Sequence, residues 1–144
     1  IKSDEATLLE TVGDLLLKQG WINNKETGNN LISVPVPGVS LISFLPDQIL
    51  RAKEIIPDAV MHGFLVVKPT KDAIQFCIQN GIKGFLPYIG LMNEEIVMDA
   101  MRNGLFVGAW GIESEDQVTM ASSLNIQGIT VNWPSIARRT LGYA

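Results

Sequence analysis

From Val39 onward the chain alternates between short apolar runs and segments with helical spacing, and this alternation limits the folds it can adopt. The apolar runs recur roughly every 20 residues, and each is followed by a segment that starts with an N-cap residue or a proline. The runs are continuously apolar, as in strands covered by helices on both faces. The pattern therefore predicts a parallel α/β fold, and by itself leaves open whether the sheet closes into a barrel.

The predicted elements follow from periodicity and from helix boundary signals. A first helix is expected to begin at Ser3 or Asp4 and to end at Gly20, and the next segment, 21–38, is polar and rich in turn residues. The clearest helix start is Ser114, because Gln117 three residues later completes a capping box. Strands are predicted at 39–44, 60–67, 82–86, 106–112 and 127–131, and helices at 46–56, 70–80, 93–103, 114–125 and from 134 onward.

Composition excludes several classes of protein. The net charge is −4 and the basic residues are scattered, so we expect no nucleic-acid partner. The sequence contains no apolar run long enough for a membrane span. The one cysteine, Cys77, excludes an internal disulfide framework, and its place on an apolar helix face predicts a buried, inert thiol. With 144 residues the chain can form a real core, but it is short for a complete barrel of ~250 residues.

The segment 104–134 contains two runs at the ends of predicted strands, Trp110-Gly111-Ile112 and Gly128-Ile129-Thr130-Val131-Asn132-Trp133-Pro134. With these runs the segment resembles the C-terminal end of the glycerophosphodiester phosphodiesterases. In that family the penultimate strand carries a W-T-V-N-like run, and the last strand reads roughly D-G-I-I-T-[DN]-x-P. The sequence departs from the motif at Gly111, at Gln127 in place of an acid, and at Val131 in place of threonine.

Further matches extend the resemblance over nearly the whole chain. Ser43-Phe44 matches an S-F strand end, Leu86-Pro87 matches the end of a later strand, and Ile1-Lys2 resembles the last two residues of the E-[IL]-K motif on the third strand. The resemblance implies a (β/α)8 TIM barrel. Residues 1–144 would be the C-terminal part of a single barrel domain and would supply about six βα units, without the first two strands.

The resemblance also implies an activity for the complete protein. Members of the family hydrolyse glycerophosphodiesters to an alcohol and glycerol 3-phosphate with a divalent cation, Mg²⁺ or Ca²⁺, and two histidines act as general acid and base. Their metal ligands and histidines lie mostly on the first strands, so we expect this chain alone to be inactive. The alternatives are a lysophospholipase D, a sphingomyelinase D-like enzyme, or a catalytically silent binding protein. The expected partner is a small glycerophosphodiester, and the sequence does not define the oligomeric state.

Four residues are candidates for the site on this resemblance. Lys2 would offer positive charge to the phosphate, although it could instead be a solvated lysine. Trp110 would pack against the glycerol or alcohol part of the substrate, or else serve only in packing. Ser43 and Phe44 would shape the wall of the site. The sole histidine, His62, is expected to be structural, and no metal ligand is predicted within this chain.

Overall fold

The computed structural model of the chain describes residues 5, 7–21, 39–56 and 61–143. The chain divides into two compact units, Ile1–Phe64 and Leu65–Ala144, and each is described by itself. No helix of the described residues is long and apolar enough to cross a membrane.

The first unit contains two helices and a pair of parallel strands. These elements are α1 (Leu8–Lys18), β1 (Ser40–Ser43), α2 (Pro46–Ile55) and β2 (Met61–Val66), and the last two residues of β2 belong to the second unit. Ser40 lies opposite Met61, and Ser43 lies opposite Phe64. Parallel neighbours need a crossover connection, which α2 supplies, so this part of the chain is the βαβ unit that the sequence predicts. Pro46 is at the start of α2, as expected for a residue without an N–H to satisfy.

One apolar cluster joins α1, β1 and α2. Leu9 and Leu16 are two helical turns apart and therefore lie on one face of α1. This face packs with residues of β1 and of α2. The buried members of the cluster are Leu9, Leu16, Leu41, Ala52 and Ile56. Burial of each large aliphatic side chain stabilises the fold by about 1.5–3 kcal/mol, so this cluster is a substantial source of stability for the unit.

The first helix begins later than the sequence predicts. The expected start at Ser3 or Asp4 is wrong, because Glu5 is not helical and Thr7 is the N-cap of α1. Thr7 has φ −95° and ψ −4°, and in the described part of the chain its side chain makes no capping hydrogen bond. The predicted end is confirmed, because Gly20 follows α1 with φ 70°, a left-handed conformation that glycine adopts easily. Apart from Trp21, the segment 21–38 lies outside the described residues.

The second unit continues the alternation of strands and helices. Its elements after the end of β2 are α3 (Lys71–Gln79), β3 (Gly84–Pro87), a 3₁₀ helix (Ile89–Leu91), α4 (Glu94–Arg102), β4 (Phe106–Ala109), α5 (Glu115–Ser123), β5 (Gly128–Ile129) and α6 (Pro134–Thr140).

The strands of the second unit are parallel and are ordered as in the sequence. The carbonyl of Val66, at the end of β2, accepts the N–H of Tyr88 just after β3. β3 pairs with β4, with Gly84 opposite Phe106, and β4 pairs with β5. β3 and the last three residues of β4 are buried, as their continuous apolar character predicts, whereas both residues of β5 are half-buried. The buried apolar strand residues of this unit include Leu65, Val66, Phe85, Leu86, Val107 and Ala109.

Side-chain caps start three helices of the second unit at the residues that the sequence predicts. Thr70 accepts the N–H of Ala73 at 3.2 Å, and Asn93 accepts that of Ile96 at 2.9 Å. These bonds satisfy backbone donors that the first helical turn would otherwise leave without partners.

The capping box of α5 is confirmed with one difference. Ser114 accepts the N–H of Gln117 at 3.3 Å, as predicted. The Gln117 side chain, however, accepts the N–H of Glu113 at 2.7 Å, one residue earlier than in the usual box. The reciprocal bond therefore fixes the residue that leads into the helix as well as the helix start.

The strands are shorter than predicted. The sequence predicts a strand over 106–112, but β4 ends at Ala109, because Gly111 has φ 75° and breaks the extended conformation. β3 covers Gly84–Pro87 rather than 82–86, and β5 covers only Gly128–Ile129 rather than 127–131. The 3₁₀ helix after β3 has no counterpart in the prediction.

Candidate active site

Two aromatic side chains lie together where β3 and β4 end. Tyr88 and Trp110 form an isolated parallel bridge beyond the two strands, and their ring centroids are 5.1 Å apart with an interplanar angle of 49°. The backbone N–H of Trp110 donates to the carbonyl of Pro87, and the backbone N–H of Ile89 donates to the carbonyl of Trp110. Both side chains are half-buried. The strand ladder thus holds this pair at the edge where parallel α/β folds place their ligands.

Two glycines leave the space that the Tyr88 ring occupies. A Cβ on Gly90 would stand 2.6 Å from Tyr88 Cε1 and 3.2 Å from its hydroxyl oxygen. A Cβ on Gly111 would overlap the opposite edge of the ring, at Cε2 and Cδ2. Contacts this close are not tolerated, so glycine at both positions is a steric condition for the observed place of Tyr88.

This packing gives a physical reason for one departure from the family motif. The motif has threonine after the strand tryptophan, whereas this chain has Gly111. Here the ring of Tyr88 fills the volume in which a side chain of residue 111 would begin. The sequence alone does not connect the two residues, because the contact depends on strand register.

The first unit places the predicted pair Ser43 and Phe44 at the end of β1. Ser43 is fully buried, and its hydroxyl accepts the N–H of Leu45 at 3.1 Å. That bond shapes the turn into α2, so Ser43 has a role in local structure whatever else it does. Phe44 is half-buried beside it. The fourth predicted site residue, Lys2, lies outside the described residues.

Charged residues are sparse in the described segments that follow the strands. Lys68 comes two residues after β2 and is exposed, and Glu113 follows β4 and is also exposed. Lys68 belongs to none of the sequence motifs, although its position after a buried strand is a usable signal for a ligand-facing cation. Tyr88 belongs to none of them either, and its signal is that of an aromatic residue directly after the strand end Leu86-Pro87.

The cavities in the described part of the second unit include two that no predicted site residue lines. The larger, of about 450 Å³, lies between α5, β5 and the C-terminal residues Leu141 and Tyr143. The smaller, of about 250 Å³, is lined by Glu113, Ser114, Glu115, Trp133 and Ile136. Only the smaller one is formed by segments that follow strand ends, so it is the one on the side of the candidate site.

The two residues that the sequence assigns to structural roles are buried. His62 is 3% exposed within β2, as expected for a histidine in a strand interior. Cys77 is fully buried in α3, and burial raises the pKa of its thiol to about 12. A thiol held in this form is a poor nucleophile near neutral pH. The acids Glu94, Glu95, Glu115 and Asp116 are exposed in first helical turns, as predicted.

Solved structures with a similar fold belong to one class of protein, the phosphodiesterases. No protein-family model and no curated protein sequence matches the chain. Among solved structures, an Oleispira antarctica phosphodiesterase in complex with the product sn-glycerol-3-phosphate is similar, with a TM-score of 0.75 and 16% identity, and the match covers 93% of this chain and 49% of that one.

Two further structures give the same result. A Galdieria sulphuraria protein assigned as a glycerophosphodiester phosphodiesterase matches with a TM-score of 0.75 and 18% identity, over 97% of this chain and 52% of that one. A Silicibacter pomeroyi protein assigned as a glycerophosphoryl diester phosphodiesterase has a TM-score of 0.61 and 19% identity, over 73% and 39%. The chain thus spans about half the length of the first two structures.

These similarities confirm the fold expected from the sequence. The chain has the α/β fold of the glycerophosphodiester phosphodiesterases, corresponding to part of their (β/α)8 barrel. The described residues contain five strands, each followed by a helix, together with the preceding α1. The sixth βα unit of the prediction would need a strand before α1, at residues that lie outside the described ones.

Proposed function

We propose that the complete protein containing this chain is a phosphodiesterase that hydrolyses glycerophosphodiesters to an alcohol and glycerol 3-phosphate. The observation that carries the proposal is the structural similarity, over nearly all of this chain, to a phosphodiesterase crystallised with sn-glycerol-3-phosphate. The fold alone does not define a reaction. The proposal therefore also rests on the motif residues that follow β1 and β4.

In this proposal the predicted residues have different roles toward the substrate. Lys2 supplies positive charge to the phosphate, and Lys68 is a second cation in a segment that follows a strand. Trp110, held in place by its bridge to Tyr88, packs against the glycerol or alcohol part. Ser43 and Phe44 form part of the wall, where Ser43 also fixes the backbone turn into α2.

We further propose Mg²⁺ or Ca²⁺ as a cofactor, held by residues other than those described. Within residues 5, 7–21, 39–56 and 61–143, no three His, Cys, Asp or Glu side chains are grouped so that they could hold a metal ion. The described residues thus do not fit a metal site, and the proposal assigns no step of the reaction to the metal.

Assay of the full gene product against glycerophosphocholine, with Mg²⁺ or Ca²⁺ added, tests the proposal. We expect release of choline and glycerol 3-phosphate by the full product and no turnover by the pure 144-residue chain. Turnover by the chain alone would contradict the assignment of the main catalytic groups to other residues. Binding of glycerol 3-phosphate without turnover by the full product would indicate the silent binding protein.

Variants and a substrate panel refine the same assay. Lys2→Ala should lower kcat by roughly 100-fold if its charge stabilises the transition state. Trp110→Ala should lower kcat/KM by roughly tenfold or more, a loss of about 1.4 kcal/mol. Trp21→Ala is the matched control, because Trp21 is 69% exposed. Faster cleavage of lysophosphatidylcholine or sphingomyelin than of glycerophosphocholine would favour the related lipid phosphodiesterases.

A further inference from the structure

The position of Tyr88 is fixed more tightly than that of an ordinary loop residue. Its N–H donates to the carbonyl of Val66 at 2.9 Å, and its ring packs against Trp110. Gly90 and Gly111 approach the ring from two sides so closely that neither could carry a Cβ without moving it. The phenol group is thus held at one place on the edge where β3 and β4 end.

We propose that Tyr88 is a substrate-binding residue that recognises the glycerol part of a glycerophosphodiester. The proposal rests on the function proposed above and adds to it a residue with a defined role. The hydroxyl of Tyr88 donates a hydrogen bond to a glycerol hydroxyl, while the rings of Tyr88 and Trp110 cover the carbon chain.

The surroundings of the hydroxyl support this role. Among the described residues, the Tyr88 hydroxyl has no hydrogen-bond partner, so its donor and acceptor capacity is open to a ligand. Gly90 is exposed, and any side chain there would begin 3.2 Å from that oxygen and would cover it. Glycine at position 90 therefore keeps the hydroxyl accessible as well as leaving room for the ring.

The chemistry of the pair suits a polyol better than an anion. Tyr88 combines an apolar ring with one polar group and the Trp110 ring adds apolar surface, and this combination matches a glycerol chain with its alternating carbon and hydroxyl groups. A phosphate would instead be bound mainly by cations such as Lys68, because hydrogen bonds between charged partners are the stronger ones. We therefore assign the glycerol part, and not the phosphate, to Tyr88.

The test compares two ligands and two tyrosine variants. In ring-¹³C-labelled full gene product, the NMR signals of Tyr88 and Tyr143 are assigned by their loss in Tyr88→Phe and Tyr143→Phe. The probes are sn-glycerol 3-phosphate and inorganic phosphate, titrated into the wild-type full gene product and into these two variants. Tyr143 is the matched control, because it is 61% exposed and contacts Arg138.

We expect glycerol 3-phosphate to shift the Tyr88 signal and to leave Tyr143 unchanged. Tyr88→Phe should weaken binding of glycerol 3-phosphate by roughly 3- to 10-fold, the effect of losing one neutral hydrogen bond, and leave that of phosphate unchanged. Tyr143→Phe should change neither affinity.

Three results would overturn the inference. Equal affinity of wild type and Tyr88→Phe for glycerol 3-phosphate would remove the role of Tyr88 and leave the proposed function in place. If Tyr88→Phe weakened the binding of glycerol 3-phosphate and of phosphate equally, Tyr88 would have a general effect on the site and no specific role toward glycerol. If neither ligand bound to the wild type even at tens of millimolar, an affinity weaker than ~2 kcal/mol, this inference and the binding part of the proposed function would both fail.

A second variant guards against a merely structural effect of Tyr88→Phe. Gly90→Ala keeps the hydroxyl but forces the Tyr88 ring to move. It should weaken the binding of glycerol 3-phosphate by at least the same factor as Tyr88→Phe does. It should also retain the cooperative unfolding of the wild type. Unchanged affinity in a folded Gly90→Ala protein would contradict a role that depends on the place of the hydroxyl.

Discussion

Three helices of the second unit begin in a different way from those of the first. In the second unit α3, α4 and α5 each start with a side chain that accepts a backbone N–H of the first turn. In the described part of the first unit, neither α1 nor α2 has such a bond, and the N-cap residues are Thr7 and Leu45. The first unit relies instead on the apolar cluster that contains Leu9 and Ile56.

This difference separates two sources of stability. A cap acts between residues three apart and fixes a helix start with little help from the rest of the fold. An apolar cluster acts only when distant segments have come together. The starts of α3, α4 and α5 are thus set locally, whereas those of α1 and α2 depend on burial. Among the described residues, α6 of the second unit has no side-chain cap either. Four experiments can test the distinction.

The largest effect is expected from the core of the first unit. Leu9→Ala removes a fully buried side chain from the cluster and should lower the free energy of unfolding by about 2–5 kcal/mol. Leu15→Ala, on the same helix but 55% exposed, should change it by less than about 0.5 kcal/mol. Urea denaturation followed by circular dichroism measures both. Similar losses for the two variants would show that the cluster does not hold α1.

The glycines around Tyr88 give the next effect, within the second unit. Gly111 and Gly104 both have φ 75°, but a Cβ on Gly104 would have no atom within 4 Å, whereas a Cβ on Gly111 would meet the Tyr88 ring. Gly104→Ala should therefore cost only the backbone strain, about 1–2 kcal/mol. Gly111→Ala should cost about 1–3 kcal/mol more, because the ring must move.

Thermal unfolding of the two glycine variants, with the Tyr88 ring signal in NMR spectra, measures that difference. Gly111→Ala should shift the Tyr88 signal, and Gly104→Ala should leave it in place. Equal stability of the two variants would show that Tyr88 is not confined by Gly111.

Removal of the caps should give a smaller effect. Asn93→Ala and Ser114→Ala each remove an acceptor of a helix N–H and should each cost about 0.5–2 kcal/mol. Thr7→Ala at the start of α1 removes no capping bond and should be nearly neutral. Chemical denaturation of the three single variants compares the two kinds of helix start. A loss at Thr7 as large as at Asn93 would contradict a difference between the units.

The smallest effect concerns the ion pair of the first unit. Arg51 and Glu10 are in direct contact on the surface. The pKa of Glu10 is lowered chiefly by a backbone hydrogen bond, burial opposes this, and Arg51 lowers the pKa further. Because the folded pKa lies below the unfolded one, the contribution to stability is present above the unfolded pKa and is lost as pH falls through the folded one.

Arg51→Gln should accordingly raise the pKa of Glu10 toward its usual value, and Lys18→Gln should not. A ¹³C NMR titration of the Glu10 carboxyl between pH 2 and 7 measures both, a range that spans the ordinary glutamate pKa of about 4.3. An unchanged Glu10 pKa in Arg51→Gln would leave the backbone bond as the whole cause.

The sequence predicts the helix starts of the second unit better than the start of α1, because local capping residues mark them. Thr70, Asn93 and Ser114 are local signals, and the structure confirms all three as caps. The predicted start of α1, with a cap at Ser3 or Asp4 followed by acidic residues, is too early. Glu5 would then lie in the helix, and it does not. Predicted strands are too long where a glycine conformation, as at Gly111, ends an apolar run.

The candidate site is less accessible to prediction than the fold. A motif identifies Trp110, but not its contact with Tyr88, because that contact depends on the pairing of two strands. Ser43 is correctly placed at a strand end, while its hydrogen bond to Leu45 is visible only in the structure. The functions of Lys2, Ser43, Phe44 and Trp110 stay predictions. Spacing along a chain identifies such residues, and geometry between segments is needed to say what they touch.

Gln127, directly before β5, stands where the family motif has an acid, and it shows that a motif position can lose its charge and keep its hydrogen bonds. Gln127 brackets Val107 with two bonds: its own N–H donates to the Val107 carbonyl, and its side-chain oxygen accepts the Val107 N–H, each at 2.8 Å. A carboxylate oxygen accepts an N–H as readily as an amide oxygen does. An acid and an amide can therefore replace each other at position 127. The exchange changes the local charge, while the hydrogen bonds to Val107 on the neighbouring strand are kept.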